Sequence, residues 1–150
     1  MKDPITVNER FVVGRDQPRA EDLSGLARRG FKSLVNLRTP GEEGQTMSPE
    51  EEGEQAGKAG LAYTHIPVSG DDMRPEVVDQ FRDEVSALPG PVFVHCASGK
   101  RSGAFTMMHV GIERGTPGEE VIEKALNMGC DCETPELKDF VRNYVDERRA

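Results

Sequence analysis

Tryptophan is absent and aromatic residues make up only 5% of this chain. A core must therefore be assembled from Leu, Val, Ile, Met and Ala rather than around large rings. Cysteine is scarce as well: there are three, and Cys130 and Cys132 stand one residue apart. That pattern excludes a secreted disulfide framework and leaves reduced thiols as the default. With no second cysteine pair and no His-x-x-x-His, it also lacks the ligands of a zinc site, so neither a metal nor another cofactor is expected. Basic residues are in deficit, 19 Lys and Arg against 27 Asp and Glu, for a net charge of -8. Such a balance argues against a nucleic-acid partner or an anionic membrane surface, because phosphate backbones recruit basic faces. Long apolar runs are missing too, none approaching the roughly 18 to 20 residues of a membrane span. The opening MKDPITVNER has no apolar core of a signal peptide, and the chain reads as cytoplasmic.

What is present is an alternation of short apolar strands and amphipathic helices over 150 residues, the size of one domain spanning positions 1–150. RFVVG (10–14) and FKSLVNLR (31–38) read as strands. Between them AEDLSGLARRG puts Leu23, Leu26 and Ala27 on one helical face. Ser48-Pro49-Glu50-Glu51 has capping-box spacing with proline at the first helical position and predicts a helix to about Gly60. LAYTHIPV (61–68) is the next strand, and PEVVDQFRDEVSAL (75–88) a helix with Val77, Val78, Phe81, Val85 and Leu88 at helical spacing. PVFVHC (91–96) is a continuous apolar run and predicts a fully buried strand. Helices are expected from Arg101 to Arg114, from Pro117 to Met128 behind a Thr116-x-x-Glu119 cap, and from Pro135 onward. The sum is an α/β fold in three layers: a mostly parallel sheet of about four or five strands with helices on both faces. Ligands of such sheets bind beyond the carboxyl ends of the strands.

One such end carries HCASGKRS (95–102). A thiol with the reference value of about 8.5 is mostly protonated at neutral pH, and only the thiolate attacks well. Cys96 follows a buried strand and precedes a helix, so the N-H groups of Ala97, Ser98, Gly99, Lys100, Arg101 and Ser102 can ring the sulfur while the positive helix end faces it. Gly99 permits the tight turn, Arg101 can bind two oxygens of one anion, and Ser102 can donate to the sulfur. A ring that stabilises a thiolate also cradles an oxyanion.

His95-Cys96-x-x-Gly99 with Arg101-Ser102 resembles the signature loop of the protein tyrosine and dual-specificity phosphatase superfamily. Gly14 to Pro18, Val35-Asn36-Leu37-Arg38, Glu42 and His65-Ile66-Pro67-Val68 extend the likeness. Together they resemble a bacterial family of phosphatase-like domains, found alone or fused to metallo-β-lactamase-like persulfide dioxygenases. The resemblance implies a phosphatase-like fold, and for His95 a supporting role holding the loop backbone. One departure stands out: four residues, not the usual five, separate Cys96 from Arg101, the spacing of many rhodanese-type sulfurtransferases.

Two chemistries stay open. In a phosphatase, Cys96 attacks phosphorus to give a cysteinyl phosphate, Arg101 and the loop N-H groups hold the oxygens, and Asp72 or Asp71 protonates the leaving group. Its substrate is an anionic small molecule or a phosphoprotein. In a sulfurtransferase, Cys96 takes sulfane sulfur from a persulfide donor and passes it to a thiol acceptor such as glutathione. Asp71 and Asp72 can equally be turn residues, Arg38 can bind an anion or pair with Glu42 or Glu43, and Cys130 or Cys132 can be a resolving thiol or a plain loop residue. His65 and His109 read as structural.

Overall fold

The computed structural model describes residues 1–70, 73–130 and 132–149. Five strands form one sheet in the order β1-β2-β5-β3-β4: β1 Ile5–Thr6, β2 Phe11–Val13, β3 Ser33–Asn36, β4 Ala62–His65 and β5 Val92–His95. β2, β5, β3 and β4 run parallel, while β1 pairs antiparallel with β2. The central β5 is buried at every position, as a strand covered on both faces must be.

Strand alternation splits the core. Leu34 and Phe93 point to one face with Leu23 and Leu26 of α1 (Ala20–Arg28) and Ala56 of α2 (Pro49–Ala59). Val35, Val92 and Val94 point to the other. There they meet α3 (Pro75–Ser86), α4 (Lys100–Glu113), α5 (Gly118–Met128) and α6 (Pro135–Arg148). α4 is buried continuously from Ser102 to Ile112, which is why it shows no polar stripe. Met107, Met108 and Val110 lie in this core. Among the described residues no helix is long and apolar enough to cross a membrane.

Two local features differ from the sequence reading. β1 is only two residues long, too short for a period-two signal, and it exists because the Asn8 side chain accepts from the Arg10 and Phe11 N-H groups at 2.9 and 2.8 Å. The predicted Thr116 cap of α5 does not form. Pro117 is the N-cap residue and has no side-chain cap bond, so the Gly118 N-H donates instead to Asp146 of α6 at 2.8 Å. A tertiary contact thus replaces a local one.

Candidate active site

β5 delivers His95 and Cys96 to the carboxyl edge of the sheet, and α4 begins four residues later behind Gly99, whose φ of 98° is the left-handed conformation that favours glycine. A Cβ there would also stand 3.3 Å from the Gly14 carbonyl oxygen. Cys96 is 1% exposed. Its Sγ accepts from the Gly99 N-H at 3.2 Å and the Ser102 N-H at 3.4 Å. Ser102 Oγ lies 3.4 Å from the sulfur and 3.5 Å from the Gly14 carbonyl. A hydroxyl has one hydrogen. With a thiol, Cys96 donates to Oγ and Ser102 to Gly14; with a thiolate, the Ser102 hydrogen turns to sulfur. Ser102 thus serves both protonation states without moving its oxygen.

Arg101, on the first turn of α4, is held by residues distant in sequence. Its Nη1 and Nη2 donate to the two oxygens of Glu42 at 2.6 and 3.0 Å, and Nη1 also donates to the Val68 carbonyl at 2.7 Å. A guanidinium has five N-H donors. Among the described residues three are used, on Nη1 and the adjoining edge, which leaves the Nε-H and the second Nη2 hydrogen as the edge able to take two oxygens of one anion. The Arg101 pKa is raised, first by the Glu42 hydrogen bond, against desolvation, and then by the charge on Cys96.

Arg38, buried in this cluster, takes the pairing alternative. Nε donates to Glu42 at 3.0 Å, Nη1 to Gln17 at 2.9 Å and Nη2 to the Glu43 carbonyl at 2.8 Å. Of the two alternatives the sequence left, anion binding or pairing with Glu42 or Glu43, the structure shows the pairing, and through it Arg38 supports the residues that hold Arg101. Glu42 further accepts from the Thr39 N-H and hydroxyl at 2.6 and 2.9 Å. Burial alone would raise its carboxyl, but Arg101, Thr39 and Arg38 outweigh it and hold the group well below the usual carboxylate range.

The sign of this shift fixes a pH dependence. A carboxylate depressed in the folded state stabilises fully above its unfolded value, about 4.3, and the contribution is lost as pH falls through the folded value. Glu42→Gln is expected to lose on the order of 2 kcal/mol at neutral pH, the scale of hydrogen bonds to charged groups. Its deficit against wild type should shrink as pH drops below about 4.3. Urea denaturation of both proteins across that range checks this; a constant deficit would show that the carboxylate charge is not the cause.

Beneath the loop lies a second buried set. His95 Nδ1 donates to the Cys96 carbonyl at 3.1 Å, and Nε2 meets Glu52 Oε2 at 2.7 Å, both side chains having no solvent exposure. Glu52 Oε1 accepts from Gln17 at 3.0 Å. Asn36 donates to the Tyr63 hydroxyl at 3.1 Å. Burial, then the charge of Glu52, hold the Tyr63 phenol well above its ordinary value. The sequence reading found His95 but missed Glu52, Gln17 and Tyr63. The signal for Glu52 was helical phase, since Pro49, Glu52 and Ala56 form the buried face of α2.

The remaining candidates divide. Lys100 is half-buried and lines a groove of about 250 Å³ with Gly70, Met73, Leu137 and Phe140. Ser98 and Gly99 border a smaller one of about 180 Å³ with Arg15 and Cys130. Asp71 and Asp72 lie outside the described residues. The segment entering their loop is tied to the site, because Val68 is an acceptor of Arg101. Cys130 and Cys132 are buried, and among the described residues neither forms a disulfide. Cys130 packs against Gly103, whose added Cβ would come 3.2 Å from its sulfur, and burial pushes its thiol up. That shift disfavours the thiolate a resolving role would need. His65 donates to the Arg38 carbonyl at 2.6 Å, the geometry of a structural residue. His109 is buried between Arg82 and Glu113. Among the described residues no group of three His, Cys, Asp or Glu is placed to hold a metal.

A mostly parallel sheet that presents a buried cysteine and an oriented arginine at one strand-to-helix junction is the arrangement of a phosphatase-like α/β domain. Residues 3–124 match the family described as "Beta-lactamase hydrolase-like protein, phosphatase-like domain", and the chain belongs to that family. A Beta-lactamase hydrolase-like protein of Xylella fastidiosa is 36% identical over 98 residues, which is 65% of this chain and 22% of that protein. The match thus spans less than a quarter of the relative's length. The fold is shared with a crystal structure from Neisseria meningitidis at TM-score 0.78 and 23% identity, covering 93% of this chain and 96% of that one. TpbA of P. aeruginosa, crystallised in complex with pTyr, superposes at TM-score 0.74 and 20% identity over 97% of this chain and 87% of its own.

Proposed function

We propose that this domain is a cysteine-dependent phosphatase acting on a phosphate monoester. The observation that carries the reading is Arg101: five residues after Cys96, its guanidinium is fixed along one edge by Glu42 and Val68, and among the described residues the other edge is left to an anion. A preset bidentate edge stabilises the equatorial oxygens of a transferring phosphoryl group without reorganisation during the reaction. The Cys96 thiolate attacks phosphorus, the P-O bond to the leaving group breaks, and Asp72 or Asp71 gives that oxygen its proton. Water then attacks the cysteinyl phosphate, releasing phosphate and the thiolate. The groove beside Lys100, walled by Met73, Leu137 and Phe140, offers apolar surface to the organic part of the ester. The pTyr bound by TpbA supports an aromatic ester as the first substrate to try.

A sulfurtransferase is the second reading, favoured by the four-residue spacing between Cys96 and Arg101. The two separate cleanly when wild-type protein is given an aryl phosphate, thiosulfate or glutathione persulfide at matched concentrations. The expected result is phosphate release without sulfur transfer. Sulfur transfer without phosphate release would overturn the phosphatase reading.

A further inference from the structure

Glu52 is an unusual placement for charge. It is the last of three consecutive glutamates. Glu51 serves the helix cap by accepting from the Ser48 N-H, and Glu50 is exposed. Glu52 has no exposure and reaches His95 across 43 residues of sequence. A buried charge of this kind is costly unless paired and hydrogen-bonded, and nothing in the reaction described above uses it as an acid or base.

Its bonds explain it. His95 faces an acceptor on each ring nitrogen, the Cys96 carbonyl and the Glu52 carboxylate. Nδ1 must carry hydrogen to bond the carbonyl, and one further proton is held between Nε2 and Oε2. The Cys96–Ala97 peptide is the first of the catalytic loop. In a trans peptide the N-H points opposite the C=O, so anchoring the Cys96 carbonyl beneath the loop aims the Ala97 N-H away from His95. Gln17 then bridges Glu52 to Arg38, and Arg38 bridges to Glu42 and so to Arg101. One hydrogen-bonded chain therefore grips both the sulfur end and the guanidinium end of the loop.

We infer that Glu52 is a positioning residue of the Cys96 loop, acting through His95 on the Cys96 carbonyl and through Gln17 and Arg38 on the arginine clamp. The assignment rests on the phosphatase reading for its catalytic consequence, but its structural content does not require turnover. Glu52→Gln should preserve the bonding: the glutamine amide donates to Nε2 of a neutral His95, Nδ1-H stays on the carbonyl, and the amide oxygen accepts from Gln17. Glu52→Leu breaks both links.

Amide hydrogen exchange of full-length wild type, E52Q and E52L tests this. In E52L, amides 97 to 102 should exchange at least about 10-fold faster while those of α5 and α6 do not change, and E52Q should stay within about 3-fold of wild type. Aryl phosphate turnover in the same samples should fall on the order of 10- to 100-fold in E52L, the usual cost of losing a partner that orients a reacting group. Unchanged loop exchange in E52L, a rise spread evenly over α5 and α6, or E52Q as impaired as E52L would each overturn the inference. If E52L yields no folded protein, His95→Asn takes its place, since asparagine cannot bridge both acceptors, and wild-type loop exchange in that variant would overturn it as well. Wild type without phosphatase turnover would sink the functional reading alone and leave the exchange comparison intact.

Discussion

Cys96→Ser is expected to abolish phosphate release from an aryl phosphate, a loss of at least about 10⁴-fold in kcat, while inorganic phosphate still binds. The substitution exchanges one atom in a loop whose shape is set elsewhere, by the Gly99 turn, the His95 anchor and the Arg101 clamp. Two N-H groups donate to the sulfur. A serine hydroxyl ionises far less readily than a thiol, so the same two donors do not make it a comparable nucleophile. Chemistry stops and the anion site persists. Phosphate release by the stopped assay, with phosphate binding by calorimetry, reads the two separately. Hydrolysis retained near the wild-type rate would mean that another group is the nucleophile; loss of both would mean that the sulfur itself holds the loop in shape.

Arg101→Lys should cost on the order of 10³-fold in kcat/KM for the same ester, within the range an arginine contributes to phosphoryl transfer. A lysine keeps the charge but loses the fork. It cannot hold both Glu42 oxygens and Val68 while presenting two further donors at fixed geometry, as the guanidinium does through Nη1 and Nη2. The loss should fall mainly on kcat, because the developing charge on the equatorial oxygens is stabilised more in the transition state than in the bound ester. Glu42 retains Arg38 and Thr39, so the fold should survive and the thermal melt should shift by only a few degrees. Steady-state kinetics with a melt of the same preparation checks both. An unchanged kcat with a raised KM would show that Arg101 binds substrate and transition state alike.

Arg38 and Glu42 show how little residue type says about role before packing is known. Arg38 stands where an anion ligand is plausible, yet its nitrogens serve Gln17, Glu42 and Glu43. Arg101, on the first turn of α4, is in turn held by Glu42 and Val68. Glu52 shows the same from the other side: within an acidic helix start it reads as solvated charge, and only the seating of α2 on the sheet turns it toward His95.

Apart from the two-residue β1 and the start of α5, the elements and the loop are legible in the sequence alone. Strand alternation, helical spacing, the Ser48 cap and the run from His95 to Ser102 are interactions between residues at most about seven positions apart, within reach of a turn or one strand, so their pattern is written locally. Tertiary structure alone decided the partners: Arg101 with Glu42 at a separation of 59 residues, His95 with Glu52 at 43, Gln17 with Glu52 at 35 and Arg38 with Gln17 at 21. These pairs lie on different elements and meet because burying the apolar faces of the helices against the sheet fixes where each polar side chain ends. Once enclosed, a donor or acceptor without a partner loses its hydration uncompensated, and for these side chains the partners are found in space rather than along the chain.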